Sequence, residues 1–359
     1  MASSGIKGGY WASWAAQDFP ANRIPHYFTH NFYAFIQVHP TTFELVTPDP
    51  DQALMRTFTS TLRSNNSSQK AFLSIGGGGG GGSEISDTFS RMASDGASRA
   101  KFINSTIDVA RRYNFDGLDL DWEYPKNQDE MSRLSDLLRE WHVALVRDST
   151  SHPSRLLLSA AVYYRSDISY DGTHRSYPSN DIKDYLDFIN VMSYDLYGSW
   201  ANVTGEHALL FDRRAEWAPS ISRGIQSWID SGVPRNKLVM GLPLYGHSWE
   251  LADPNVHGVG APTVGPGRRP GPGDDDGIVT YNRIVQFNRD NNAHVEFDDT
   301  NVAVYSYAGR YWIGYDDPRS IARKVEYAKG QNLGGFFFWA LGNDYNWQLS
   351  QTAVHAWDE

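Results

Sequence analysis

Short apolar, β-branched or aromatic runs alternate along this chain with stretches whose apolar positions recur every three to four residues. This is the pattern of strand–helix units around a parallel sheet. Eight runs read as strands: residues 8–14, 28–38, 71–75, 117–124, 156–162, 188–194, 238–245 and 335–340. Between them, Phe102, Ile103, Ile107 and Ala110 mark one helical face, and Met131, Leu134, Leu137, Leu138, Trp141 and Leu145 another. The last helical pattern is punctuated by Asp317 at the N-cap position, Pro318 just inside and Gly330 just beyond. Eight such units predict an α/β fold, a (β/α)8 TIM barrel, which typically takes about 250 residues.

The surplus is easy to place. From residue 247 to 333 the alternation breaks: a Gly/Pro/Asp-rich loop at 265–277 leads to a helical stretch near 281–288 and strand-like pieces around 302–307 and 311–315. We expect residues 1–246 and 334–359 to form the barrel. Residues 247–333, including the return to the barrel, should form a small α+β insertion between strands seven and eight that walls a cleft.

Charge and composition then narrow the chemistry. The chain has 32 Lys plus Arg against 42 Asp plus Glu, a formal charge of -10, which argues against binding nucleic acid or an anionic membrane surface. It has no cysteine, so disulfide frameworks and thiol catalysis are excluded. No apolar run approaches the roughly 18 residues of a membrane span. The N-terminus lacks the features of a signal peptide, so the chain reads as either a cytosolic protein or a mature form; Asn65, Asn66, Asn104 and Asn202 open Asn-x-Ser/Thr sequons, which favour the second, and a secreted or vacuolar mature form is expected. Tryptophan (12), tyrosine (20) and phenylalanine (17) are abundant, which suits either a large aromatic core or the stacking of sugar rings.

Residues 76–82 are seven consecutive glycines directly after the third strand. They contain GxGxxG trivially, but no Gly-Lys-Ser/Thr follows, so a phosphate loop is not indicated. The run reads as a flexible loop that packs nothing.

The fourth strand carries the most chemistry. Alternation puts Asp119, Asp121 and Glu123 on one face and Leu118, Leu120 and Trp122 on the other. Three acids entering a low-dielectric barrel cannot all ionise, so at least one proton should be kept near neutral pH, as a general acid needs. Glu123 lies nearest the strand's C-terminal end, where such barrels place their chemistry. A hard-cation site or a structural acid network would use the same residues. On the sixth strand Met192 and Tyr194 share a face, and Asp195 falls at the junction with the following loop. Trp339, near the end of the eighth, is either core filler or a stacking platform.

The segment DGLDLDWEYP, with SIGG after the third strand, MSYD on the sixth and FFFWA on the eighth, resembles the family 18 glycoside hydrolases. GGYW, ALLFD, GLPLYGHSW, TYNRI and WIGYDD are similar to plant class V chitinases within that family. The resemblance implies hydrolysis of β-1,4-linked N-acetylglucosamine oligomers or chitin, extending to lipid-modified chitooligosaccharides. It also implies a substrate-assisted retaining mechanism through an oxazolinium intermediate. On this resemblance, Glu123 protonates the glycosidic oxygen, Asp121 holds the acetamido N–H, Asp119 shares a proton or hydrogen bond with Asp121, and Tyr194 binds the acetamido oxygen. Asp195 would contact the distorted sugar. Trp339 would floor the subsite before the scissile bond, lined by Met192 and Phe35, with Tyr10 and Ser74 supporting the acids and Tyr245 in the wall. Asp116 is expected to be structural. No cofactor and no metal are expected, and the chain should be a monomer. The glycine run departs from the varied loop usual in the family and borders the cleft. An inactive chitin-oligosaccharide-binding lectin of the same fold, or a hydrolase of the N-glycan core, remains an alternative.

Overall fold

The structure, a computed structural model, describes residues 5–78, 82–269, 271 and 275–359. Eight parallel strands pair in cyclic order: β1 (Ile6–Ala12), β2 (His30–Val38), β3 (Lys70–Gly76), β4 (Gly117–Asp121), β5 (Leu157–Tyr163), β6 (Phe188–Met192), β7 (Leu238–Pro243) and β8 (Gly335–Leu341). β8 pairs back onto β1, so the sheet closes and leaves no open edge. The expected (β/α)8 barrel is the observed fold.

The lumen is filled in layers. Low in the barrel, Phe32, Phe72 and Phe188 form a ring cluster, with Phe32 and Phe72 centroids 4.9 Å apart and Phe72 and Phe188 5.5 Å apart. Tyr10 stacks on Phe32 at 4.6 Å and meets Phe337 at 5.5 Å, capping this aromatic plug. The polar site is therefore built on a dry, rigid floor; truncating one of these rings to Ala would cost about 3–5 kcal/mol. On the outer face of β4, Leu118, Leu120 and Trp122 are buried, as strand alternation requires. Trp122 packs 5.8 Å from Phe89 of helix Gly82–Ala93.

The two helical patterns form as Gly96–Arg112 and Gln128–Asp148, with their apolar positions buried. Asp317 caps helix Pro318–Gly330 through a capping box with Ser320, and Gly330 is its last residue rather than the one beyond. That helix is not the last. Gln348–Asp358 follows β8, its first turn held by Asp344, whose carboxylate accepts from Leu349 N and Ser350 N. The capping acid lies outside the usual N-cap position, which hid this helix from a pattern reading. Lys7 pairs with Asp358 at 2.6 Å and ties the helix to β1.

The strand read as 238–245 breaks in two. β7 stops at Pro243, and Tyr245–Leu251 opens a separate antiparallel sheet. Its order is Thr263–Pro266, Tyr245–Leu251, Tyr311–Tyr315, Ala303–Ala308 and His294–Asp298, with Ile278–Thr280 also beside Tyr245–Leu251. Helix Tyr281–Asp290 packs on this sheet, whose buried centre is Trp249, Leu251, Ala261 and Trp312. Leu244 N donates to Trp339 O at 2.8 Å, so the start of the sheet hangs directly on the mouth of the barrel. Among the described residues no helix is long and apolar enough to cross a membrane.

Candidate active site

Strand register assembles the acid cluster. β3 and β5 place Ser74 and Ser159 on either side of Asp119, at the same height. Ser74 Oγ and Tyr10 Oη donate to Asp119 Oδ2 at 2.7 and 2.8 Å, and Ser159 Oγ donates to Oδ1 at 2.7 Å. Asn190 Nδ2 in turn donates to Tyr10 Oη at 2.9 Å. Burial pushes the Asp119 carboxyl up, against the downward pull of its three hydroxyl donors. Ser159 and Asn190 were not singled out from the sequence; the signal lay in register, which a single chain does not display.

One step up the strand the balance changes. Asp121 is buried, and its Oδ1 has no hydrogen-bond partner among the described residues. Its side chain is hydrogen-bonded to that of Glu123. Desolvation, then the Glu123 and Asp119 carboxyls, push Asp121 well above the ordinary carboxyl range. Desolvation also raises Glu123, to about 7, with the Asp195 charge pushing the same way; the hydrogen bonds with Asp121 and from Gly78 N–H pull it down. Two carboxyls in hydrogen-bond contact require a proton between them. The cluster thus holds an acid ready at near-neutral pH.

The glycine run corrects the expectation that it packs nothing. Gly76 and Gly77 have φ of 111° and 94°, and Gly77 N donates to Asp121 O at 2.9 Å. A Cβ on Gly76 would fall on Asp121 O, one on Gly77 on the Phe35 ring and one on Gly78 on Glu123 Oε2. The first three glycines are there because the chain passes directly against the acids. Positions 79–81 lie outside the described residues, as do 270 and 272–274 of the loop at 265–277.

Across the cleft, Asp195 has φ 58° and turns its carboxylate into the opening, 49% exposed. Tyr245 Oη donates to its Oδ1 at 2.5 Å and His247 Nε2 at 2.8 Å. Although desolvation works the other way, His247 and Tyr245, which both donate to it, hold Asp195 below the usual carboxylate range. Both partners come from strand Tyr245–Leu251, so the antiparallel sheet contributes directly to the site. Asp195, His207 and His247 bring potential ligand atoms within 4.8 Å of one another. They do not fit a metal cradle. His207 Nδ1 already accepts from Asp195 N and its Nε2 already meets Tyr245 O, so neither nitrogen has a free lone pair.

Asp121, Glu123, Asp195 and the first three glycines line one cleft of about 1300 Å³, with Asp119, His207 and His247 behind its wall. Trp339 and Phe35, each at a cis peptide bond, stack 5.6 Å apart, and Trp14 packs on Phe35 at 6.1 Å. Tyr10, Met192, Tyr194 and Tyr245 also line the cleft. Ser74 does not; it acts behind Asp119. Asp116 accepts from Ala71 N at 2.8 Å and pairs with Arg63, away from the opening. Four exposed rings on the cleft, Trp14, Tyr170, Trp200 and Trp217, were not named as site residues beforehand. Trp14 sits in the short helical turn Ser13–Ala15 just past β1, and Tyr170, Trp200 and Trp217 stand singly in turns, where no periodicity marks them.

An inward row of acids beside an aromatic floor at the C-terminal mouth of a (β/α)8 barrel agrees with the profile of the glycosyl hydrolases family 18, which matches residues 7–344. The chain belongs to family 18. Its sequence is 46% identical over 356 residues to a class V chitinase from Lotus japonicus, covering 98% of this chain and 86% of the relative. Among solved structures of the family, a glutamate-to-glutamine mutant of class V chitinase from Nicotiana tobaccum in complex with NAG4 superposes with a TM-score of 0.92. It is 40% identical and covers 99% of both chains. A chitinase-like agglutinin from Robinia pseudoacacia superposes with a TM-score of 0.87 at 43% identity, covering 98% of this chain and 99% of that one. The family 18 barrel is therefore found both in chitinases and in a chitinase-like agglutinin.

Proposed function

We propose that this chain is a retaining chitinase that cuts β-1,4 bonds between N-acetylglucosamine residues with the substrate's own acetamido group as nucleophile. The observation that carries this reading is the coupling of the buried Asp121 and Glu123 carboxyls, with Asp121 Oδ1 left without a hydrogen-bond partner among the described residues. Two-carboxylate glycosidases place their acids on opposite sides of the scissile bond, about 5–5.5 Å apart for retention and roughly 6.5–9.5 Å for inversion. Side chains two residues apart on one strand, sharing a proton, flank nothing.

A nucleophile from the sugar resolves this. Glu123 gives its proton to the glycosidic oxygen as the C1–O bond breaks, while the acetamido oxygen bonds to C1 and forms an oxazolinium ion. The Asp121 Oδ1 accepts the acetamido N–H and favours that attack; Tyr194 Oη donates to the acetamido oxygen. Glu123 then takes a proton from water, which opens the oxazolinium at C1 and returns the β-anomer. Trp339 stacks the reacting sugar, and the ionised Asp195 holds its hydroxyl groups. Intact acids favour an enzyme over a lectin of the same fold.

A secreted or vacuolar location belongs to this proposal. Asn65, Asn104 and Asn202 are exposed, as glycan acceptors would be, whereas Asn66 Oδ1 is engaged by Ser68.

The test is hydrolysis of N-acetylglucosamine hexamer and of its de-N-acetylated counterpart, with anomers resolved over time, by wild type beside Glu123→Gln. Wild type should cut only the acetylated hexamer, giving initial β-anomer, and Glu123→Gln should not. Binding without cleavage would favour the lectin; equal cleavage of both substrates would remove the acetamido nucleophile.

A further inference from the structure

Asp195 sits in a left-handed conformation that a non-glycine residue adopts at some cost, and something must hold it there. The holder is His207, fully buried and outside the cleft lining, twelve residues further along the chain. Its main-chain carbonyl accepts from Leu196 N at 2.8 Å, and its Nδ1 accepts from Asp195 N at 3.2 Å. Its Nε2 lies 3.1 Å from Tyr245 O. The two peptide groups just after Tyr194 are thus pinned by one residue, which is itself pinned to the first residue of the insertion sheet.

The partners dictate the tautomer. A backbone N–H can only donate, so Nδ1 carries no proton; a carbonyl can only accept, so Nε2 carries one. The ring is the neutral Nε2–H form, and a second proton would set N–H against N–H. Burial, with His247 and Lys324 nearby, holds the imidazole well below its usual range, and the Asp195 carboxylate pulls the other way without prevailing.

We infer that His207 is a positioning residue for the glycosidase reaction: its neutral imidazole clips Asp195 in its left-handed turn and so aims that carboxylate, held by Tyr245 and His247, at the reacting sugar. This rests on the role of Asp195 stated under the proposed function. His207 touches no substrate and acts only through Asp195.

The test is a double-mutant cycle on hexamer hydrolysis with His207→Ala, His207→Asn, Asp195→Ala and the pair His207→Ala/Asp195→Ala, with melting temperatures measured for each. His207→Ala should lower kcat about a hundredfold while KM moves less than about threefold. Asn keeps an acceptor near the Nδ1 position and should recover at least about tenfold of that loss. Once Asp195 is Ala, adding His207→Ala should cost no more than about twofold. Equal losses in the Ala and Asn variants, or an undiminished loss without Asp195, would reduce His207 to a structural residue and overturn the inference. A readout independent of turnover is the nitrogen NMR of the His207 ring in wild type between pH 5 and 8. It should show an unprotonated Nδ1 and a protonated Nε2; the opposite tautomer or a titrating ring would overturn the inference even in a chain that binds chitin oligomers without cutting them.

Discussion

Glu123 and Asp195 line the same cleft, yet their surroundings drive them to opposite charge states. Glu123 shares a proton with Asp121 above a plug of aromatic rings, and among the described residues a backbone N–H, that of Gly78, is its other donor. Asp195 receives a tyrosine hydroxyl and an imidazole N–H on one oxygen and stays ionised. Burial alone would raise both. What separates them is the balance of donors against burial: at Glu123 the hydrogen bonds with Asp121 and Gly78 do not offset desolvation and the Asp195 charge, whereas at Asp195 the hydroxyl and the imidazole do. The barrel thus obtains an acid and a fixed negative charge from the same functional group, the second with help from the antiparallel sheet.

The contrast can be broken most severely on the acid side. Asp121→Asn removes the carboxyl that shares the proton and leaves Glu123 with an amide neighbour; kcat on the hexamer should fall about a hundred- to a thousandfold with the fold intact by melting temperature. A smaller effect should follow from crowding the acid rather than changing its partner. In Gly78→Ala the new methyl would occupy the place of Glu123 Oε2. Steady-state kinetics should show kcat down about tenfold or more, whereas Gly258→Ala, which meets nothing within 4 Å, should be indistinguishable from wild type. If Gly78→Ala is also silent, the close approach of the glycine run has no catalytic consequence.

Much of this was legible in the sequence, for reasons that differ by element. The acid face of β4 shows itself because strand alternation has period two, and three acids at every second position stand out against Leu118, Leu120 and Trp122. The eight strands show because each is a buried parallel strand and hence a short apolar run. The glycine run misled because composition reports conformational freedom and not what the backbone passes against; Gly76, Gly77 and Gly78 are constrained by Asp121, Phe35 and Glu123, all distant in sequence. His207 had no visible pattern, since its partners are two backbone groups that any residue carries. Tyr245 was placed in the wall but at the end of a barrel strand, because no local signal shows that the chain leaves the barrel after Pro243 and enters a second sheet.

The central claim is that Glu123 is the protonated acid and that the Asp195 charge helps keep it so. The most direct measurement is the pH dependence of kcat/KM for the N-acetylglucosamine hexamer in wild type and in Asp195→Asn. Glu123 must carry its proton to act, so kcat/KM in wild type should fall as pH rises through about 7. Removing the anionic neighbour removes one of the influences that raise Glu123, so in Asp195→Asn the descending limb should move to lower pH beneath a reduced plateau. A limb that stays in place, or moves to higher pH, would contradict the account.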